Sequence, residues 1–138
     1  MKRVVGIDYG RKRLGIAVSD PLGITAQGSP TLEVSGFEDA LRKVSAYLAD
    51  FEVETIVLGL PLNMDGSQGP MVDEVKRFGD GLHTRTQVPV TYLDERLTSA
   101  QAKQMLQTDD KRGRGKGQVD RVAASLLLDA YLQGLREE

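Results

Sequence analysis

Three carboxylates in the sequence stand where an acidic side chain could do chemistry. Asp8 ends the apolar segment 4–8, where an ionised group is costly unless something compensates its charge. Glu95 follows the strand-like segment 88–93, and Asp120 falls in the first turn of a C-terminal helical segment. If the first and last strands are parallel neighbours, Asp8 and Glu95 lie at the same end of the sheet, where open α/β sheets bind ligands. The last helix need only cross that end to bring in Asp120.

Carboxylates that meet at one point favour a bound cation, because otherwise they repel one another and their pKa values rise. The chain has no cysteine and a single histidine, His83, so a hard ion such as Mg²⁺ or Mn²⁺ is the natural partner. Two such ions, about 3.5–4 Å apart, can activate a water and stabilise the departing oxygen of a phosphodiester. A structural interpretation stays open for Asp120 at a helix start and for Glu95 paired with Arg96. We expect His83 to lie on the surface.

Two clusters of basic residues flank the segments that carry the acids. The first lies in the predicted turn after Asp8, and the second lies in segment 108–117, which we expect to be a flexible basic loop. The clusters comprise Arg11, Lys12 and Arg13, then Lys111, Arg112, Arg114 and Lys116. Cations beside carboxylates suit a nucleic-acid backbone, although a solvated loop that aids solubility explains the second cluster equally well. Aromatic residues make up only 5%, so base stacking is not expected to dominate.

The loop at 59–66 follows the predicted central strand and should lie at the same sheet end as Asp8. Asn63 and Asp65 could bind phosphate or water there, or could hydrogen-bond their own backbone as turn residues do. The turn interpretation is favoured for Asp65, because Gly66 follows it.

The hydrophobic pattern predicts the element order β-β-β-α-β-α-β-α-α, which positions these residues. Segments 4–8 and 14–19 form a hairpin, and 24–34 is an irregular edge strand broken by Gly28 and Pro30. A helix over 37–48 has a capping box from Ser35 and Glu38. Later strands at 55–60 and 88–93 alternate with helices at 71–82, 98–106 and 118–135. The predicted α/β fold is a mixed five-stranded sheet, with three antiparallel strands, two strands parallel to the first, and helices on both faces.

Length and composition limit the classes of protein. The chain has 138 residues, 40% apolar and 28% charged, which fits one globular domain over residues 1–138. The net charge of −2 excludes a globally basic nucleic-acid binder but not a local basic patch. No apolar run approaches the ~20 residues that span a membrane, and Met1-Lys2-Arg3 leads directly into a strand, so neither membrane association nor a signal peptide is expected. A cytoplasmic location is the expectation.

Four segments together resemble the signature blocks of the YqgF family, in the family's order and across nearly the whole chain. They are DYGRKRLGIA at 8–17, GLPLNMDG at 59–66, DERLT at 94–98 and KGQVD at 116–120. Members of the family are described as RNase H-like Holliday-junction resolvases and as pre-16S rRNA nucleases. The resemblance implies an RNase H-like fold in which Asp8, Glu95 and Asp120 are metal-binding catalytic acids. It also implies a cytoplasmic role in ribosome biogenesis, through maturation of the 5′ end of 16S rRNA.

Four functional hypotheses follow, and the sequence favours the first. The first is a divalent-metal-dependent endonuclease acting on structured RNA. The second is a Holliday junction resolvase with the same chemistry on branched DNA, which needs a homodimer to cut two strands. The third is an actin-like ATP-binding domain using the Asp8-Tyr9-Gly10 turn, which generally needs two lobes where 138 residues supply one. The fourth is a non-catalytic nucleic-acid-binding or antitermination factor, whose binding would survive loss of the three carboxylates.

Overall fold

A computed structural model describes residues 2–20, 22, 26–28, 31–63, 65–94 and 116–137. The strands are β1 (Arg3–Asp8), β2 (Arg13–Ser19), β3 (Ala26–Gly28), β4 (Leu32–Glu33), β5 (Val53–Leu60) and β6 (Val90–Asp94). The helices are α1 (Phe37–Leu48), α2 (Pro70–Thr86) and α3 (Lys116–Glu137). No helix in these ranges has the length and apolar character needed to cross a membrane.

The mixed α/β sheet has the strand order β3-β2-β1-β5-β6, with β4 also paired to β2. Strand β2 runs antiparallel to β1, β3 and β4, whereas β5 and β6 run parallel to β1. The predicted pattern of antiparallel and parallel strands is therefore confirmed. The predicted irregular strand at 24–34 is instead two short strands, which raises the number of described strands from five to six.

The condition considered from the sequence, that the first and last strands are neighbours, is not met, because β5 lies between β1 and β6. All three strands run parallel, so their carboxyl ends still lie at the same end of the sheet. Strand β5 is an eight-residue run that is buried on both faces, which suits a central position. Successive crossovers through α1 and α2 carry the chain in one direction across the sheet. Right-handed crossovers of this kind place both helices on the same face, and both pack there.

Two apolar layers cover the two faces of the sheet. On one face, Val5 and Ile7 of β1 pack in a large cluster with residues of α1 and α2. On the other face, Val4 packs with residues of α3. Gly6 lets α3 approach closely, because a Cβ added there would lie 3.0 Å from Leu128 Cβ and 3.1 Å from the Ala124 carbonyl oxygen. Helices on both faces are as predicted.

Helix α1 has its predicted bounds but a different N-cap, and α2 and α3 both extend beyond their predicted ranges, α2 being Pro70–Thr86 rather than 71–82. The predicted capping box of Ser35 and Glu38 is wrong, because the N-cap residue is Gly36 and no side chain caps the helix there. The Ser35 N–H instead donates to Asp39 Oδ2 at 2.9 Å. Helix α3 begins at Lys116, two residues before its predicted start, so the last two residues of the predicted basic loop are helical. The predicted helix at 98–106 and the rest of that loop lie outside the described residues.

Candidate active site

Asp8 occupies the carboxyl end of β1 and is half-buried. Side chains alternate between the two faces along a strand. Since Val4 packs against α3 and Gly6 lies under Ala124 and Leu128, Asp8 is the next residue on the face that α3 covers. The acid that the sequence predicted at a strand end therefore lies at the carboxyl end of the parallel strands, where open α/β folds bind ligands. This end of the sheet is called the sheet edge below.

Glycines flank Asp8 on both neighbouring strands. The β1–β2 register pairs Asp8 directly with Gly15. Ile7 pairs with Leu58 in β5, so Gly59 is the next β5 residue and lies level with Asp8. Both glycines are buried. Neither neighbouring strand therefore places a side chain directly beside the Asp8 carboxylate on this face.

The end of β6 reaches the same edge of the sheet. Gly59 pairs with Leu93, and Leu60 pairs with Asp94. Leu93 packs on the α3 face, so Asp94 lies on the α1/α2 face by alternation. Asp8 and Leu93 are two strands apart, about 10 Å at the usual strand spacing. Glu95 and Arg96 follow Asp94 in the sequence and lie outside the described residues.

Helix α3, which includes Asp120 in its first turns, packs on the face of the sheet that Asp8 shares. Asp120 precedes Ala124 by four residues, which is about 6 Å along a helix axis. The Ala124 carbonyl lies over Gly6, two residues before Asp8 in β1. Helix α3 therefore crosses β1 one helical turn after Asp120, and the proximity of Asp120 to Asp8 stays a prediction. The side chains of Lys116 and Asp120 lie outside the described part of the chain.

Within the described residues, no three His, Cys, Asp or Glu side chains cluster as metal ligands. The proposed three-acid cluster is not tested by this result, because Glu95 and the Asp120 side chain are not among them. His83 is exposed near the end of α2, with Nδ1 2.9 Å from the Val88 carbonyl oxygen, which agrees with the surface position predicted. Asp8 supplies a carboxylate at this end of the sheet, and carboxylate oxygens suit Mg²⁺ or Mn²⁺.

A second acid, Glu74 on α2, holds the turn that follows Asp8. The Tyr9 hydroxyl donates to Glu74 Oε2 at 2.6 Å, and the Arg11 guanidinium lies 3.1 Å from Glu74 Oε1. The hydrogen bond from Tyr9 lowers the pKa of Glu74, while burial and the bond to Glu74 raise the pKa of Tyr9. Sequence reasoning missed Glu74, since it lies on a predicted helix 65 residues from Tyr9. The sequence shows Glu74 only as an acidic residue in an amphipathic helix, and such residues are too common to indicate a specific contact.

The three basic residues of this turn have different surroundings. Arg11 is two-thirds exposed but pairs with Glu74. Lys12 is exposed, and its carbonyl accepts a hydrogen bond from the Val34 N–H. Arg13 is half-buried and starts β2, paired in register with Glu33 of β4. Of the second predicted cluster, Lys111, Arg112 and Arg114 lie outside the described residues, and Lys116 is described only as the first residue of α3.

The loop after β5 is held by its own side chains. Asp65 Oδ1 accepts from both the N–H and the hydroxyl of Ser67, at 2.9 and 2.6 Å, so the turn interpretation of Asp65 is confirmed. Asn63 is exposed, and its amide donates to Ser67 Oγ at 3.0 Å. A nucleic-acid contact of Asn63 stays a prediction.

Comparison with known proteins gives a consistent result. Residues 2–134 match the sequence model of a family described as RuvX: Holliday junction resolvase. A relative from Syntrophomonas wolfei, named "Putative pre-16S rRNA nuclease", is 44% identical over 133 residues, covering 96% of this chain and 94% of the relative.

Two solved structures share the fold at low sequence identity. Thermus thermophilus RuvC, solved in complex with a Holliday junction substrate, has a TM-score of 0.57 at 16% identity and covers 98% of this chain and 96% of its own. The fowlpox virus Holliday junction resolvase has a TM-score of 0.60 at 14% identity, covering 96% and 99%. These likenesses confirm the RNase H-like fold expected from the sequence.

Proposed function

The chain belongs to the family described as RuvX: Holliday junction resolvase, as the YqgF resemblance predicted, and on that premise we propose that it is a metal-dependent endonuclease for structured RNA. Its substrate in this proposal is the 5′ end of pre-16S rRNA, matured in the cytoplasm during ribosome biogenesis. The name of the Syntrophomonas wolfei relative supports an rRNA substrate. The observation that carries the proposal is the position of Asp8 between two glycines, under α3, at the edge where β6 also ends.

Asp8, Glu95 and Asp120 are the proposed catalytic ligands of Mg²⁺ or Mn²⁺, with two ions in the complete site. Such ions supply an activated water and stabilise the departing oxygen when they are bound. The carboxylates would fix the position of the metal ions. The glycines beside Asp8 carry no side chain that would hinder the approach of a phosphate. Binding of the nucleic-acid backbone falls to the basic residues and to Asn63. The proposed contacts are Arg11, Lys12, Arg13, Asn63, Arg96, Lys111, Arg112, Arg114 and Lys116.

An endonuclease assay on a pre-16S rRNA fragment tests this proposal. Asp8→Asn removes one charge with little change in shape, so cleavage should be lost while the thermal unfolding curve stays that of the wild type. Excess EDTA should also abolish cleavage, and added Mg²⁺ or Mn²⁺ should restore it. Asp129→Asn is a matched control, because Asp129 is an exposed acid on α3. Full activity of Asp8→Asn, or of the wild type in EDTA, would refute the proposal.

A Holliday junction resolvase is the second candidate, and the family description favours it. Two nicks across a junction require two sites, so this activity needs a homodimer. Cleavage of the RNA fragment and of a four-way DNA junction should be measured at equal substrate concentrations, with the oligomeric state of the same protein sample determined by sedimentation. The two measurements together distinguish the two activities. A monomer that cuts only RNA would reject the resolvase, whereas a dimer that cuts only junctions would reject the rRNA substrate. Nucleic-acid binding without cleavage of either would indicate the non-catalytic factor.

A further inference from the structure

A groove lies on the opposite face of the sheet from Asp8, directly across the sheet edge. Asp8 faces α3, whereas Tyr9 packs in the α1/α2 layer and lines an open groove of about 590 Å³. The walls include Tyr9, Arg11, Lys12, Phe37, Glu74 and Arg77.

The groove has an excess of positive charge. Three cations line it against one carboxylate, Glu74, whose two oxygens are already bound by Tyr9 and Arg11. Lys12 and Arg77 are both exposed, and neither has an ion-pair partner within the described part of the chain. Lys12 and Arg77 therefore line one concave surface without ion pairs among the described residues, and Glu74 is the acid of the groove that the Arg77 charge also faces.

Acids near the groove form no ion pair with Lys12 or Arg77 within the described residues, although the exposed Asp73 and Asp80 lie four residues before and three residues after Arg77 on α2. Asp39, in the first turn of α1, pairs with Arg42 and Lys43, and Glu38 pairs with Arg85 at 3.0 Å. The Arg77 guanidinium is instead held over the Phe37 ring, 6.0 Å from its centroid. Stacking on a ring leaves the N–H groups at the guanidinium edge available to donate to phosphate oxygens.

We infer that this groove binds the phosphate backbone of the RNA strand that flanks the cleavage point, with Arg77 and Lys12 as its contacts. The inference rests on the proposed function for the identity of the strand. One strand would then contact both faces of the sheet edge, with the cleaved phosphate beside Asp8 and a flanking phosphate against α2. Arg77 was not singled out by sequence reasoning, because it lies on a predicted helix far from both basic clusters.

Binding of single-stranded RNA by the full chain in EDTA, followed by fluorescence anisotropy over a range of salt, tests the groove. Arg77→Ala should weaken binding about 3–10-fold and reduce the slope of log K against log salt by about 0.7, the value for one lost phosphate contact on a single strand. Arg77→Lys should keep most of the affinity, because a point charge still reaches phosphate. Arg85→Ala is the matched control, since Arg85 is an exposed arginine eight residues along the same helix.

The result separates this inference from the proposed nuclease activity. If Arg77→Ala has the same RNA affinity and salt dependence as Arg85→Ala, the groove does not bind the phosphate backbone. That conclusion would hold even if Asp8→Asn abolishes cleavage. Conversely, cleavage that survives Asp8→Asn would remove the proposed catalytic role of Asp8 but leave the salt dependence of Arg77→Ala intact. A DNA strand of the same sequence should show the same loss with Arg77→Ala. A loss confined to RNA would overturn the phosphate assignment, because phosphate contacts do not depend on the sugar.

Discussion

The two faces of the sheet at the end of β1 are built differently. The α1/α2 face buries large side chains such as Phe78 and Leu82, and it fastens the turn after Asp8 through Tyr9 and Glu74. The α3 face presents Gly6, Gly15 and Gly59 beside or below Asp8. One face therefore supplies most of the packing, and on the other face the neighbouring strands place no side chain directly beside a carboxylate. The comparison suggests that stability and chemistry can be perturbed separately, one face at a time.

The largest stability effect is expected on the α1/α2 face. Leu82 is completely buried between α2 and the sheet, so Leu82→Ala should lower the free energy of unfolding by ~2–5 kcal/mol. Urea denaturation measures this loss. Cleavage per folded molecule should stay near the wild-type value, because Leu82 lies on the face opposite Asp8. A large fall in the specific activity of the folded fraction would contradict the separation of the two faces.

A smaller stability effect, with a larger effect on activity, is expected on the α3 face. Gly6→Ala places a methyl group 3.0 Å from Leu128 Cβ and 3.1 Å from the Ala124 carbonyl oxygen, so α3 must shift. Overpacking of this size costs ~1–3 kcal/mol of stability. Because α3 also carries Asp120, cleavage should fall further than the loss of folded protein explains. Unchanged specific activity would show that the position of α3 does not matter to the site.

The smallest effect is expected at the hydrogen bonds that hold the turn. Glu74→Gln should cost about 1 kcal/mol at pH 7, because the charge-assisted bonds from Tyr9 and Arg11 weaken. The hydrogen bond from Tyr9 holds the pKa of Glu74 below its ordinary value. The wild-type advantage should therefore persist down to the unfolded-state pKa, about 4.3, and disappear as pH falls through the lower folded-state pKa. Urea titrations of both proteins from neutral to acidic pH measure this difference, and a constant difference would contradict the assignment.

The sequence predicted the parts of the fold that depend on local pattern. Apolar runs identified β1, β2, β5 and β6, and the helical period identified α1. It could not predict strand adjacency, because β5 and β6 are both apolar enough to pair with β1, and the crossovers decide which one does. The capping residue of α1 was also missed, because a Ser-x-x-Glu pattern does not reveal that Asp39 reaches back to Ser35.

The candidate site was predictable only in part. Asp8 could be identified because an acid at the end of a buried strand has few ordinary explanations. Glu74 and Arg77 could not, since their roles come from contacts with Tyr9 and Phe37 across the sheet edge and between helices. A contact between two exposed or half-buried side chains that are far apart in the sequence produces no periodic pattern from which it could be predicted.

The central claim is that Asp8, Glu95 and Asp120 bind the same metal site, and Mn²⁺ titration by calorimetry tests it most directly. The wild type and the control Asp129→Asn should bind with the same affinity. Asp8→Asn, Glu95→Gln and Asp120→Asn should each weaken binding at least tenfold, about 1.4 kcal/mol or more of binding free energy. Wild-type affinity in all three variants, with their folds intact, would contradict the account.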